Sequence, residues 1–153
     1  MRQQFTDAMK EAMKAGDKAR LSTIRLIIAA IKDRDIAARG EGRETAVATD
    51  EELLQLLQKI SKQRADSVTA FEAAGRQDLV DKEAAEKVII DSFLPQQMGA
   101  DETRAAIAGV IAETGATGMR DMGKVMTALK AKFAGTMDFG KANGVVKELL
   151  TAG

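Results

Sequence analysis

The sequence predicts an all-α protein, and three observations support this class. Pro95 is the one proline in 153 residues, and a proline inside a helix costs about 3 kcal/mol or more. Ala, Leu, Lys, Glu, Gln and Met are plentiful, whereas Tyr and Trp, which favour strands, are absent. Apolar residues recur at intervals of three and four along most of the chain. These patterns predict an N-terminal domain of about four helices (1–95) and a C-terminal three-helix bundle (96–153).

The first helix is predicted over residues 3–15. Phe5, Met9 and Met13 follow one another at intervals of four, which places them on one face of a helix. A glycine at position 16 followed by an aspartate at 17 is typical of a helix end and the N-cap of the next helix. We therefore expect the three apolar side chains to face the core.

The second helix is predicted over about 17–38 and is the most apolar segment of the chain. Its broad apolar stripe consists of Leu21, Ile24, Ile27, Ile28 and Ile31. The helical period ends near residue 38, and glycines at 40 and 42 stand among charged residues. This composition predicts a mobile loop over 38–48.

The third and fourth helices are predicted to form the rest of the first domain. Thr49 and Glu52 have the spacing of a capping box, which would open a long helix ending near Gly75. Its predicted buried residues are Leu53, Leu56, Leu57, Ile60, Val68 and Phe71. A fourth, acidic helix should run from about 78 to 93. Leu94-Pro95 is then the predicted domain boundary, because the residue before a proline disfavours helix.

Three short amphipathic helices are predicted for the C-terminal bundle, over about 101–114, 119–133 and from 138 onward. Glycines at 115 and 135 would end the first two, and Asp138 would cap the third. The predicted inward residues are Ala106, Ile107, Val110, Ile111, Met122, Val125, Met126, Leu129, Phe133, Val145, Val146, Leu149 and Leu150. A domain of this size closes as a compact bundle.

The absence of two residue types limits the chemistry of the chain. Without Cys, disulfides, thiolate nucleophiles and thiolate zinc sites are excluded. Without His, a Ser–His–Asp triad and imidazole metal ligands are excluded. The sequence therefore predicts no catalytic residue, cofactor or metal site. An enzyme that aids amide transfer from glutamine would need a Ser, Thr or Lys activated by a neighbouring side chain.

Hydropathy predicts neither a membrane span nor a secretory signal. No apolar run approaches the 18 residues that a spanning helix needs, and residues 1–7 contain no hydrophobic signal core. The absence of Cys fits a reducing compartment. We expect a cytoplasmic protein.

Two acidic pairs on the fourth helix resemble metal or proton-sharing sites. Asp78 and Asp81, and likewise Glu83 and Glu86, are one turn apart, and paired carboxylates can hold a metal ion. A solvated helix face is the favoured interpretation because lysines lie among them. For Arg64 on the third helix, we favour a structural hydrogen bond to Glu83 or Glu86 over a ligand contact.

The glycine-rich segment 115–124 invites comparison with a phosphate-binding loop. The P-loop pattern fails because Val125 follows Lys124 where a hydroxyl residue is required. The structural alternative is that Gly115 ends a helix, Thr117 or Gly118 caps the next, and Gly123 permits close packing. A further alternative is that free helix-terminal amides bind a single backbone phosphate.

Charge is unevenly distributed although the chain is neutral overall. Residues 1–43 carry ten basic and six acidic groups, 44–100 carry six and eleven, and 101–153 carry seven and six. In the C-terminal bundle the predicted RNA-binding residues are Arg120, Lys124, Lys130, Lys132, Lys141, Asn143 and Lys147. Lysines that contact phosphates release counterions and add salt-dependent affinity. Without Tyr or Trp for stacking, recognition would rely on RNA shape and backbone; solvated lysines that aid solubility are the alternative.

Several ordered motifs resemble the GatB/YqeY family, in particular its stand-alone YqeY-like type. They cover essentially the whole chain. The motifs are ARLSTIR (19–25), AAIK (29–32), KQRADS (62–67), FEAAGRQDL (71–79), LPQQ (94–97) and DMGKVM (121–126), with Glu83, Glu86, Gly135 and Asp138.

This resemblance implies a helical N-terminal domain and a bundle similar to the tail of the B subunit of glutamine-dependent aspartyl/glutamyl-tRNA amidotransferase. In that enzyme the tail contacts the tRNA body, and a separate domain performs the chemistry. The family label of carbon–nitrogen ligase activity with glutamine as amido donor would then describe the relative. The resemblance implies that the Asp121–Met126 block and nearby lysines are binding candidates, and it supplies no catalytic residue. Asp121, Met122 and Gly123 would shape the helix start, with Gly135 and Asp138 as further motif residues.

Two hypotheses of function follow from the sequence. The first is a tRNA-binding accessory protein that uses the last two helices, with no DNA or membrane partner. The second is a protein-interaction module whose acidic middle helices or apolar second helix dock onto an amidotransferase or an aminoacyl-tRNA synthetase.

Overall fold

A computed structural model describes residues 1–43 and 47–152 and confirms the all-α class. The described residues form seven α-helices and a short 3-10 turn at Met119–Asp121. The helices are α1 (Arg2–Ala15), α2 (Lys18–Gly40), α3 (Asp50–Ala73), α4 (Gln77–Asp91), α5 (Ala100–Thr114), α6 (Met122–Phe133) and α7 (Phe139–Ala152). They belong to two compact units, Met1–Leu94 and Pro95–Gly153. No helix in the described part of the chain combines the length and apolarity that crossing a bilayer requires.

The helix ends of the first unit follow the local sequence signals. Gly16 has a left-handed backbone with φ of 69°, and the Asp17 side chain accepts a 3.0 Å hydrogen bond from the amide of Arg20. Thr49 and Glu52 form the predicted capping box, in which each side chain accepts from the other residue's amide, at 3.2 and 2.8 Å. α2 continues to Gly40, two residues beyond the predicted end, and residues 44–46 of the predicted loop lie outside the described residues.

The connection that precedes α3 is fixed by an ion pair between α1 and α2. Arg2 donates two hydrogen bonds to Asp35, at 2.8 and 2.7 Å, and a third, of 2.8 Å, to the carbonyl of Ala48. Asp35 in turn accepts from the amide of Ala48 at 2.8 Å. The Arg2 guanidinium lowers the pKa of Asp35. Both polar groups of the buried Ala48 backbone are thereby satisfied, as burial requires.

The core of the first unit is built from α1, α2, α3 and α4. Its buried members are Phe5, Ala8, Ala12, Ile24, Ile27, Ile31, Ala48, Leu53, Leu57 and Ile90. The prediction that Met13 faces this core is wrong, since its side chain is 55% exposed. The buried face of α1 runs through Phe5, Ala8 and Ala12 instead, at intervals of three and four. Small side chains at two of these positions allow α1 to lie close to its neighbour.

Arg64 links α3 to α4 through two carboxylates. Its Nε lies 2.8 Å from an oxygen of Glu86 and 3.3 Å from an oxygen of Glu83, and each of the three side chains is less than a quarter exposed. Arg64 contacts both carboxylates, as the structural interpretation expected, but through ion pairs, since its buried Nε and the buried Oε2 of Glu83 have no hydrogen-bond partner among the described residues. The interpretation of Glu83 and Glu86 as a solvated face is wrong, because both carboxylates point into the seam between the helices.

The core of the second unit is formed by α5, α6, α7 and the turn before α7. Its buried members are Ile107, Val110, Val125, Leu129, Met137, Ala142, Val146 and Leu150. The turn is held from the other side by the segment after Pro95. The side-chain amide of Gln97 donates a 2.7 Å hydrogen bond to the carbonyl of Gly135, and the amide of Met98 donates one of 2.9 Å to the carbonyl of Thr136.

Candidate nucleic-acid interface

The turn between α5 and α6 is organised by the carboxylate of Asp121. Gly115 ends α5 with φ of 67°, which confirms its predicted role. The amide of Thr117 donates a 2.9 Å hydrogen bond to Asp121. This bond, the amide of Gly118 and the nearby charges of Lys124 and Arg120 lower the pKa of Asp121. The Asp121 carboxylate therefore already accepts from the loop amides. These amides are not free to bind a phosphate, which argues against the phosphate-binding alternative for this loop.

The glycines of the predicted motif have different structural roles. A Cβ at Gly123 would meet no atom within 4 Å, so the prediction that this glycine permits close helix packing is wrong. Gly135 is buried and has φ of 83°, a conformation that L side chains rarely adopt. Asp138 accepts hydrogen bonds from the amides of Gly140 and Lys141, at 2.9 and 3.2 Å, and so caps α7 as predicted. Met122 is half-buried against the core.

Lys124 is exposed but has a partner within its own bundle. Its Nζ donates a 2.7 Å hydrogen bond to the carbonyl oxygen of Thr114, the last residue of α5. A cation at this position satisfies an open carbonyl and opposes the negative end of the helix dipole. Lys124 therefore stabilises the end of α5, and this contact competes with any contact to phosphate.

Lys132 forms an ion pair with Glu113 of α5. The side chains of the two residues are 48% and 62% exposed. An ion pair this exposed contributes about 0–1 kcal/mol to stability. The lysine can therefore exchange its carboxylate for another anion at little cost.

Lys130 lies on a different side of α6 from these two lysines. At 100° per residue it is about 120° around the helix from Lys124 and about 160° from Lys132. Lys124 and Lys132 both contact α5, so Lys130 lies on the flank of α6 that is turned towards α7. The three lysines are exposed, as predicted, but they do not form one stripe.

The polar residues of α7 also divide between two flanks. Glu148, one heptad after Lys141 on the same flank, pairs with Arg104 of α5 at 3.0 Å. The Arg104 guanidinium lowers the pKa of Glu148. Asn143 and Lys147 are one turn apart on the opposite flank of α7, which is turned towards α6. Asn143 is half-buried and Lys147 is exposed.

Lys130, Asn143 and Lys147 together define a surface that we call the α6–α7 face. The connection of α6 and α7 spans only residues 134–138, so the two helices run antiparallel. This places Lys130, near the end of α6, beside the first turns of α7. Within the described parts of the chain, neither Lys130 nor Lys147 forms an ion pair, and the same holds for the exposed Arg120 in the turn that contacts α7. These three cations are available to an external anion.

Sequence spacing does not reveal the α5 residues that divide these lysines into two groups. Glu113 and Lys132 are 19 positions apart, and Arg104 and Glu148 are 44 apart. Neither pair has a local spacing that a helix would bring together. The helical period of α6 does, however, predict that Lys130 and Lys124 lie on different sides of the helix.

Comparison with known proteins finds a family and a group of fungal relatives. The model of the family described as "Yqey-like protein" matches residues 2–150. The protein named "Altered inheritance of mitochondria protein 41, mitochondrial" from Saccharomyces cerevisiae is 36% identical over 88 residues, 58% of this chain and 45% of the relative. Its namesake from Lachancea thermotolerans is 36% identical over 94 residues, 61% and 48% of the two chains. The one from Kluyveromyces lactis is 34% identical over 85 residues, 56% and 43%.

The names of these relatives correct one prediction. Each relative is named as a mitochondrial protein, which contradicts the cytoplasmic location expected from the sequence. The matched segment spans about half the length of each relative.

Proposed function

The chain belongs to the YqeY-like protein family, as its motifs predicted, and from this premise we propose that its second unit binds tRNA through the α6–α7 face. One observation carries the proposal: Lys130 and Lys147 share that face with the amide of Asn143 and have no carboxylate partner among the described residues. The resemblance of this bundle to the tRNA-contacting tail of an amidotransferase subunit supports the choice of tRNA.

The chemistry of the α6–α7 face suits a folded RNA backbone. Two exposed amines can neutralise phosphates and release their counterions, while the Asn143 amide can donate to a phosphate or ribose oxygen and accept from a 2′-hydroxyl. The two aromatic rings of this unit, Phe133 and Phe139, pack against the core. Without an exposed ring for base stacking, the face would recognise the shape and backbone of an RNA.

The cations outside the α6–α7 face have graded roles in this proposal. Arg120 lies in the turn that contacts α7 and extends the face. Lys132 and Lys141 reach phosphates from the neighbouring flanks, Lys132 by exchanging Glu113 for the RNA. Lys124 contributes least, because its amine already caps α5.

An electrophoretic titration of the full chain with deacylated tRNA tests the proposal. Wild-type protein should bind weakly at low salt, and binding should fall steeply as salt is added. K130E/K147E should abolish the shifted band, whereas K10E/K14E, which changes net charge equally on exposed residues of α1, should leave it intact. Circular dichroism would establish that both variants remain helical. Equal binding by the two variants, or no binding by the wild type, would refute the proposal.

Docking onto an amidotransferase or an aminoacyl-tRNA synthetase, the second hypothesis from the sequence, stays a prediction. If K130E/K147E leaves capture of such an enzyme unchanged after ribonuclease treatment, that contact is independent of RNA.

A further inference from the structure

The outward face of α2 has the residue spacing of a coiled-coil seam. Positions along this face alternate between intervals of four and three, which is the a and d pattern of a heptad repeat. The seam residues are Ser22, Leu26, Ala29, Asp33 and Ile36, and all are exposed. Leu26 is 50% exposed and Ile36 is 62% exposed. The seam thus offers two large apolar side chains to a partner, one in each half of the helix.

A row of basic residues borders this seam. Lys18, Arg25, Lys32 and Arg39 follow one another every seven residues, at the g positions of the same heptads. Seven residues rise about 10.5 Å and drift by about 20°, so the row runs along one edge of the helix. The side chains of Lys18, Arg25 and Lys32 form no ion pair with the described residues.

A shallow depression marks the first heptad of the seam. It has a volume of about 360 Å³ and is lined by Lys18, Leu21, Ser22, Arg25 and Leu26. The first four of these residues have the spacing i, i+3, i+4 and i+7. In the register of the seam they occupy positions g, c, d and g, so the depression lies at the basic edge of the seam. The depression can accept an apolar side chain from a second helix.

We propose that the outward face of α2 binds an acidic amphipathic helix of a partner protein. The partner's apolar residues would cover Leu26 and Ile36, and a row of carboxylates on it would pair with Lys18, Arg25 and Lys32. The basic row would attract such a helix and repel a basic one.

Charge and apolarity favour this occupant over two others. A second copy of α2 in antiparallel orientation would set one basic row against the other, and in parallel orientation would offer Thr23 and Ala30, which carry no charge. A nucleic acid would leave Leu26 and Ile36 uncovered. An acidic helix satisfies the apolar stripe and the basic row together.

Fluorescence anisotropy with two synthetic peptides tests this surface. Each peptide is about four heptads long with leucine at a and d; one carries glutamate at e and g, and its twin carries lysine there. The wild-type chain should bind the glutamate peptide saturably and reject the lysine peptide. R25E/K32E should weaken binding of the glutamate peptide about tenfold or more and gain binding of the lysine peptide.

Two further variants separate specific docking from general charge effects. K10E/K14E carries the same change in net charge on α1 and should bind the glutamate peptide as wild type does. L26N/I36N keeps the basic row but should lose the peptide, with an unchanged helical spectrum. The proposal is overturned if the glutamate peptide does not bind, or if R25E/K32E and K10E/K14E bind it equally. It is also overturned, in favour of an RNA surface, if R25E/K32E loses tRNA instead of the peptide.

Discussion

The amine of Lys124 lies 2.7 Å from the carbonyl oxygen of Thr114, so a residue from the first turn of α6 closes the last turn of α5. The hydrogen bond joins two helices through a side chain that, by charge alone, resembles every other surface lysine of the bundle. Lys124 therefore contributes mainly to the stability of the bundle, whereas Lys130 and Lys147 are the cations of the α6–α7 face.

Replacing Lys124 with methionine should destabilise the protein without a matching loss of tRNA affinity. The variant leaves the Thr114 carbonyl without its donor, which costs about 1 kcal/mol. Lys132→Met, which removes an exposed ion pair, should cost less. Urea unfolding of both variants measures the difference, and a larger loss for Lys132→Met would contradict this assignment.

Replacing Glu113 with glutamine should strengthen tRNA binding. The change releases Lys132 from its intramolecular carboxylate, so its amine can meet a phosphate without first breaking an ion pair. We expect a gain of about twofold to fivefold at low salt, with a steeper dependence on salt. Glu72→Gln, an exposed change of the same charge on α3, is the control. Equal gains from both variants would mean that net charge alone is responsible.

The stability contributed by Glu52 should depend on pH in the acid range. Its carboxylate accepts from Arg43 and from the amide of Thr49 and lies beside Arg34, and together they lower its pKa to about 2 from the ordinary value of 4.5. A lowered pKa means stability that is full above about 4.5 and is lost as the pH falls towards 2. Glu52→Gln should therefore be less stable than wild type at pH 7, and the difference should shrink below pH 4.5. Urea midpoints between pH 7 and 2.5 would show a constant gap if Glu52 were uninvolved.

Alanine should have opposite effects at two glycines of the second unit. At Gly123 a Cβ meets no atom, and alanine in a helix is better than glycine by about 0.5–1 kcal/mol, so the melting temperature should rise. At Gly135 the φ of 83° disfavours any side chain, and alanine should destabilise by about 1–2 kcal/mol. Thermal unfolding of the two variants gives the sign directly. A drop at Gly123 would restore the close-packing role that the sequence suggested.

Removing Arg64 should be among the most damaging single changes in the first unit. Arg64→Met leaves Glu83 and Glu86 facing each other in a largely buried seam, which costs about 3 kcal/mol or more. Adding E83Q and E86Q to Arg64→Met should recover part of the loss, because the unpaired charges are gone. Arg76→Met, which removes an exposed pair with Asp78, should change the unfolding free energy little.

The sequence anticipated the features that depend on neighbours along the chain. The capping box of Thr49 and Glu52, the end of α1 at Gly16 and the cap at Asp138 each involve residues within four positions, and all three were predicted correctly. The core stripe of α2 was also predicted well, because its apolar period is unbroken. Local signals and helical period therefore account for the element order and for most of the core.

The errors arose where a contact crosses between helices. Glu83 and Glu86 were expected in solvent because lysines lie among them in the sequence. A contact of Arg64 with one of them was also expected, but the sequence did not show that both carboxylates lie in the seam between the helices. Met13 follows the four-residue period of Phe5 and Met9, yet the closeness of α1 to its neighbour selects Ala12 in its place. The partners of Lys124 and Lys132 on α5 were missed for the same reason. The sequence could thus predict which residues belong to the candidate interface, but not which of them are paired with α5 and which lie on the α6–α7 face.

Gln97 and Met98 donate two hydrogen bonds to the turn at Gly135 and Thr136. These bonds determine where the chain should be cut when the second unit is transferred to another protein. The stretch after Pro95 holds that turn in place, and the turn also contains Gly135 with its positive φ and the buried Met137. A chimera that begins at α5 would lack Gln97 and Met98, so the turn before α7 would lose both hydrogen bonds and become less ordered. A chimera that begins at Gln96 would keep these two residues together with the three helices of the bundle.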